Sequence, residues 1–360
     1  MQHPAAAEPA QFADLVVAWQ VRSGRHDLPW QNTRDPYRVW LSEIMLQQTQ
    51  VSTVRAYFDR FLHHLPTVSA LAAASQDEVL GLWSGLGYYS RARNLHHCAQ
   101  AVVANHGGVF PSSAQALQTL PGIGRSTAAA IASLCFGERV AILDANVKRV
   151  LTRVLAFEDD LASLASERRL WDAATALLPA SGLAQSMPRY TQGMMDIGAT
   201  VCLPRAPACH RCPVSQHCVA LRLGSPERFP VRTRKLKRSA LSVWLLWLQT
   251  EGGAVYLQRR PQTGVWGGLH CFPAFDSRED LEQFSPRGLG GSVEDMPVFK
   301  HVLTHKDLYL HPVRVLRPGP LAQGHPGRWF GPQEWPSLGL PAPIRQLLVQ
   351  AGSQPKEVDG

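Results

Sequence analysis

Two carboxylates and a thiol cluster carry most of the chemistry this chain could perform. Glu43 lies in a helical pattern among Trp40, Ile44 and Leu46. Burial among such neighbours disfavours the charged form and raises a carboxyl pKa, which a general acid near neutral pH requires. Asp144 stands in Leu143-Asp144-Ala145-Asn146, 20 residues after Gly124. It has two readings: N-cap of a helix starting near Ala145, or a carboxylate facing a reacting centre. Asn146 follows two residues on. Before it, Pro121-Gly122-Ile123-Gly124 supplies a tight turn anchored by Leu120 and Ile123. The helix after it, opening near Ser126-Thr127, presents free N–H groups to a phosphate. Cys202-x6-Cys209-x2-Cys212-x5-Cys218 places four thiols within 17 residues. That donor set serves zinc and iron–sulfur clusters alike.

These residues must be held by helices. Asp35-Pro36 is a helix start, and apolar residues then recur at Trp40, Ile44, Val51, Val54, Phe58, Phe61 and Leu65, a helical period in which Gln48 interrupts the stripe. Further helices are expected near 69–82, 90–106, 113–119, 126–136 (closed by Gly137), 145–156, 166–178 and 188–200, with no strand before 240. Six basic side chains and no acidic ones follow in 228–238: Arg228, Arg232, Arg234, Lys235, Lys237 and Arg238. They read equally as a solvated linker and as a phosphate contact. Strand patterns then appear at Leu241–Leu248, Ala254–Gln258, Phe299–Leu303 and Tyr309–Val315.

The expected domains are a helical region at 1–223, a basic linker at 224–240, an α+β domain at 241–348 and a flexible tail at 349–360. The 360 residues suffice for two cores, and 45% are hydrophobic. A net charge of +8 suits a polyanionic partner. No apolar run is long enough to span a bilayer, and Met1–Ala10 lacks signal-peptide features. Cys98, Cys135 and Cys271 are scattered, so the cysteines do not form a secreted disulfide framework. A monomer in a bacterial cytoplasm is expected.

Three further segments narrow the reading: Leu28-Pro29-Trp30 with Asp35 to Gln50, Gly85-Leu86-Gly87-Tyr88-Tyr89-Ser90-Arg91-Ala92-Arg93-Asn94-Leu95, and Gln192-Gly193-Met194-Met195-Asp196-Ile197-Gly198. With the hairpin and the cysteines they resemble the helix–hairpin–helix DNA glycosylases of the endonuclease III superfamily, and within it the MutY family. The resemblance covers roughly residues 12–346. It implies a mainly α fold with a C-terminal α+β Nudix-like domain, and one structural 4Fe–4S cluster on Cys202, Cys209, Cys212 and Cys218. The implied substrate is duplex DNA in which adenine faces 8-oxoguanine or guanine. Glu43 would protonate adenine at N7 and then help activate water, while Asp144 stabilises charge at C1′ and Asn146 orients the site.

Bifunctional relatives carry a lysine where this chain has Ser126, and a hydroxyl cannot form an imine. A monofunctional enzyme is therefore expected. The resemblance also implies that Gln48 and Tyr88 fill the gap left by the extruded base, and that Trp30 and Gln192 line the adenine pocket. Thr49 and Leu86 would meet the opposing base, and Gly122 and Gly124 the backbone. Leu303-Thr304-His305 matches the family's Phe-Ser-His lesion-reading loop with the aromatic lost. Arg259-Arg260-Pro261 and Gly264-Val265-Trp266-Gly267-Gly268-Leu269 look Nudix-like. Arg278-Glu279-Asp280-Leu281-Glu282-Gln283 is an incomplete Nudix box, so no pyrophosphatase activity is expected.

Overall fold

A computed structural model describes residues 9–231, 233, 238–284, 291–318 and 326–353. In chain order the α-helices before residue 239 are α1 (Pro9–Ser23), α2 (Pro36–Leu46), α3 (Val51–His64), α4 (Val68–Ala73), α5 (Gln76–Leu82), α6 (Ser90–His106), α7 (Ala114–Leu117), α8 (Arg125–Phe136), α9 (Ala145–Val154), α10 (Leu164–Ala176), α11 (Leu183–Thr200) and α12 (Val219–Arg222). There follow β1 (Ser239–Thr250), β2 (Val255–Arg259), β3 (His270–Cys271), β4 (Ala274–Phe275), α13 (Arg278–Gln283), β5 (Ser292–Asp295), β6 (Phe299–Val302), β7 (Lys306–Arg317), β8 (Arg328–Phe330) and α14 (Ala342–Ser353). The chain divides into two compact units, Met1–Ala72 with His97–Lys235, and Ala73–His96 with Leu236–Gly360.

The first unit is helical. Phe12 and Val16 of α1, Ala129 and Ala130 of α8, Val147, Val150 and Leu151 of α9, and Met194 and Ile197 of α11 share one core. Asp35 caps α2 by accepting the Tyr37 N–H at 2.9 Å, with Pro36 at the first helical position. Gly137 closes α8 in the left-handed conformation at φ 71°. The continuous helix expected from Pro36 to Leu65 is corrected to two helices. The backbone leaves the helix at Gln47, and Gln48 sits at φ 59° in an exposed turn before α3 begins. The apolar period runs across this break because Ile44 and Val51 fall seven residues apart. The helix expected over 69–82 likewise divides where the Ser75 hydroxyl caps α5 by accepting the Glu78 N–H.

In the second unit β1 and β7 pair in parallel from Ser239↔Lys306 to Thr250↔Arg317, at the centre of the order β3-β2-β1-β7-β5. Both faces of this pair are covered. Leu245, Trp247, Leu308 and Leu310 pack with Ile344 and Leu347 of α14. Leu246, Leu248, Val313 and Val315 pack with Leu281 of α13. That explains why 243–248 reads as an unbroken apolar run. Residues 73–96 belong to this unit: the Tyr89 hydroxyl donates to Leu340 O at 2.9 Å and Arg345 Nε to Ser84 Oγ at 3.0 Å. Glu282 of the incomplete Nudix box is ion-paired with Arg278 at 2.9 Å. Four basic residues of the expected linker, Arg232, Arg234, Lys235 and Lys237, lie outside the described residues. Of the expected tail, α14 takes the chain through Ser353, and the rest lies outside the described residues. No described helix is long and apolar enough to cross a membrane.

Candidate active site

Eight of the residues singled out above line a single cleft of about 690 Å³ in the first unit: Trp30, Glu43, Gln48, Thr49, Ser126, Asp144, Asn146 and Gln192. Glu43 is a half-buried residue of α2, between the buried Ser42 and Ile44. Its carboxyl is pushed up to about 7, first by burial and second by the charge of Asp144. Asp144 is the N-cap of α9, as the local pattern allowed: its Oδ1 accepts the Val147 N–H at 2.6 Å. Capping leaves Asp144 lining the cleft, with Asn146 hydrogen-bonded to the same carboxylate. Burial raises the Asp144 carboxyl, and hydrogen bonds from Val147 and Asn146 with the nearby Arg149 charge counter that rise.

Asn146 is oriented from behind. Arg149 Nη2 donates to Asn146 Oδ1 at 2.8 Å and to Gly198 O at 2.7 Å, and Arg149 Nε donates to Cys202 O at 2.7 Å. With its oxygen taken, the Asn146 amide presents its nitrogen to Asp144. Gly198 permits this approach, since a Cβ there would lie 2.6 Å from Asn146 Cβ. Arg149 carried no local signal. Neither did Asp196, which is fully buried and accepts from Arg25 Nε at 2.7 Å and Gln192 Nε2 at 2.9 Å. A carboxylate only accepts, so the Gln192 amide nitrogen faces it and Oε1 is the atom left for a ligand.

Ser126 Oγ accepts the Leu143 N–H at 3.1 Å, tying the first turn of α8 to the segment that delivers Asp144. Gly122 adopts φ 74°, which its turn requires. Gly124 has ordinary backbone angles, and a Cβ there would meet nothing within 4 Å. No internal contact demands that glycine, and its bareness suits close approach by another molecule. The Arg125 guanidinium is drawn 3.9 Å over the Trp171 ring.

The other predicted residues lie elsewhere. The four clustered cysteines line one small pocket with Val150, Val201, Val214 and Leu221. Arg153, 2% exposed, donates to Leu203 O at 2.6 Å and approaches Cys202 Sγ at 3.3 Å. Four thiols around a small pocket walled by apolar side chains, with a buried cation beside them, fit an anionic thiolate cluster. Among the described residues no three His, Cys, Asp or Glu side chains are close enough together to hold a single metal ion.

In the second unit Tyr88 sits at φ 46°, 44% exposed, its hydroxyl hydrogen-bonded to that of Thr304. Thr304 and His305 form the exposed tip of the β6–β7 hairpin. Arg238 holds that tip by donating to Leu303 O at 2.9 Å and Thr304 O at 3.2 Å and by pairing with Asp307. Leu86 is buried, its N–H donating to Trp83 O at 3.1 Å and its carbonyl accepting Arg91 Nη2 at 3.2 Å.

A family model described as HhH-GPD superfamily base excision DNA repair protein matches residues 41–175, and a NUDIX domain model matches residues 243–350. The chain is similar to an adenine DNA glycosylase of Buchnera aphidicola subsp. Acyrthosiphon pisum, 34% identical over 342 residues, covering 94% of this chain and 96% of the relative. It is 43% identical over 223 residues to an adenine DNA glycosylase of Homo sapiens, covering 59% of this chain and 40% of that one. Among solved structures, a thermostable thymine-DNA glycosylase superposes with a TM-score of 0.52 at 28% identity, over 60% of this chain and 97% of the other.

Proposed function

The chain belongs to the adenine DNA glycosylase family, and from that premise we propose that it removes adenine paired with 8-oxoguanine or guanine without cleaving the strand. It is an adenine-specific DNA glycosylase of base excision repair. The observation that carries the mechanism is the Glu43–Asp144 pair in one cleft, with the Glu43 carboxyl near 7 and so able to hold a proton at neutral pH.

Protonated Glu43 gives its proton to adenine N7. The C1′–N9 bond breaks and its electron pair leaves with the base. Positive charge develops at C1′ and is stabilised by the Asp144 carboxylate, held in place by the cap and by Asn146. Water then bonds to C1′, and its proton passes to Glu43. Gln192 Oε1 accepts from the adenine amino group, and Trp30 walls the base. Gln48 and Tyr88 fill the space of the extruded nucleotide, and Thr49 with Leu86 meets the opposing base.

Thr304 and His305 read the lesion base, and the turn at Gly122 and Gly124 brings the N–H groups at the start of α8 to phosphate. Cys202, Cys209, Cys212 and Cys218 hold one 4Fe–4S cluster, whose chemistry here is structural. Ser126 offers no amine, so no imine forms and the product is an intact strand with an abasic site.

The test is a duplex with one adenine:8-oxoguanine pair. Strand scission only after alkali supports this reading. Scission without alkali, trapped by borohydride, would favour a bifunctional glycosylase of the endonuclease III type instead.

A further inference from the structure

Behind the cleft lies a second chamber of about 340 Å³. The two share Arg25, Trp30, Val39, Leu134 and Gln192 as a common wall. The far side of the chamber is built from the α1–α2 connection and the start of α11. Pro188, inside α11, has no N–H to give Ala184 O, and Arg34 Nη2 takes that carbonyl at 2.8 Å instead, closing one edge. Gln31 lines the chamber and not the cleft, and its side-chain Nε2 and Oε1 are both buried without a hydrogen-bond partner. A buried amide left unpaired is unfavourable, and a partner inside the chamber would relieve it.

From these observations we infer that the chamber receives the free adenine base after cleavage and is its route out of the protein. The inference rests on the adenine-glycosylase reading. The substrate is a duplex, so the strand that delivers adenine through the cleft mouth still covers that mouth once the glycosidic bond is broken. The freed base needs a second opening while abasic DNA stays bound. The chamber adjoins the cleft, is larger than a purine base, and is partly open to solvent through Asn32 and Arg34. Gln31 brings one donor and one acceptor, the pair that an amide side chain uses against the amino and ring-nitrogen edge of adenine. Gln192 is the partition. Its nitrogen is tied to Asp196, and its Oε1 can meet the adenine amino group from the cleft side before the base passes.

The experiment uses the full chain and a duplex carrying ¹⁴C in the excised adenine. After a single turnover, rapid gel filtration separates protein-bound from free label. Wild type is expected to release labelled adenine while still bound to abasic DNA. Gln31→Trp fills the chamber: the cleavage rate constant should stay within about twofold, while adenine release slows at least about tenfold to the rate of DNA dissociation. Gln31→Leu keeps the chamber open but removes the amide, and should raise the inhibition constant of added adenine about tenfold with cleavage unchanged, one lost hydrogen bond. Adenine leaving Gln31→Trp as fast as wild type, wild type retaining adenine until its DNA dissociates, or an unchanged inhibition constant for Gln31→Leu would each overturn the inference. A wild-type protein that releases no adenine from any duplex would instead defeat the glycosylase reading beneath it.

Discussion

The carboxylate of Asp144 accepts the backbone N–H of Val147 at 2.6 Å, so the residue that caps α9 is also the one whose charge reaches Glu43 across the cleft. The two roles separate by substitution. Asp144→Asn keeps an oxygen for the cap and loses the charge. It should melt within about 0.3 kcal/mol of wild type and lower single-turnover excision by about 10²- to 10³-fold. Asp144→Ala should lose the same activity and about 1 kcal/mol of stability as well. Equal stability losses in the two variants would remove the capping account.

Glu43 sets the pH dependence. Burial and the Asp144 charge raise its carboxyl to about 7, so the acid is protonated below that value and lost above it. Single-turnover excision should fall about tenfold per pH unit above 7. It should also fall at low pH as Asp144 takes up its proton. Stability has the same sign: a raised carboxyl stabilises the fold at low pH, and that contribution is lost as pH rises through the folded value. Glu43→Gln should therefore be inactive yet melt higher than wild type at pH 8, with the difference vanishing near pH 4.

Arg149 acts at one remove from the substrate. It fixes Asn146 Oδ1, Gly198 O and Cys202 O together. Arg149→Met should lower excision about 10- to 100-fold, the worth of a charged hydrogen bond to the Asn146 that steadies Asp144. Duplex affinity and visible absorbance at the cysteine loop should be retained. Loss of that absorbance would assign Arg149 to the loop's folding instead.

The basic run that ends at Arg238 reads equally as solvated linker and as phosphate contact, and in the fold Arg238 is fastened to the hairpin tip. Arg238→Gln should reduce the preference for adenine:8-oxoguanine over adenine:guanine about fivefold, leaving the adenine:guanine rate unchanged, with Arg238→Lys partly restoring it. A uniform drop on both duplexes, steeper in salt, would identify a phosphate contact.

What sequence could and could not reveal follows from the range of each interaction. The Asp35-Pro36 start and the Gly137 stop are local, and so are the cysteine spacing and the Asp144 cap. All are legible from neighbours within a few residues. The break at Gln48 showed only as one polar residue in the apolar stripe, because the period resumes in phase at Val51 and a left-handed non-glycine residue has no signature of its own. Asp196 with Arg25, 171 residues apart, has no spacing to read. Strands β3 and β4 hold two residues each and β8 three, too short for alternation to register. The role of Arg238 emerged only when β1 and β7 paired and brought its side chain beside Asp307.

Ser126 gives the sharpest test of how the cleft divides base removal from strand scission. Its hydroxyl accepts the Leu143 N–H at 3.1 Å and lines the same cleft as Asp144. Ser126→Lys would put a primary amine where the abasic C1′ is exposed after adenine leaves. The amine can attack the opened sugar, expel water and form an imine, from which elimination breaks the strand. The variant should give a borohydride-trapped protein–DNA adduct and nicks without alkali, whereas wild type gives neither. It should also lose about 1 kcal/mol of stability, because the Leu143 N–H no longer has its acceptor. An active variant that excises adenine without forming the adduct would mean that residue 126 does not reach C1′, and that something other than the missing amine keeps this enzyme from cutting the strand.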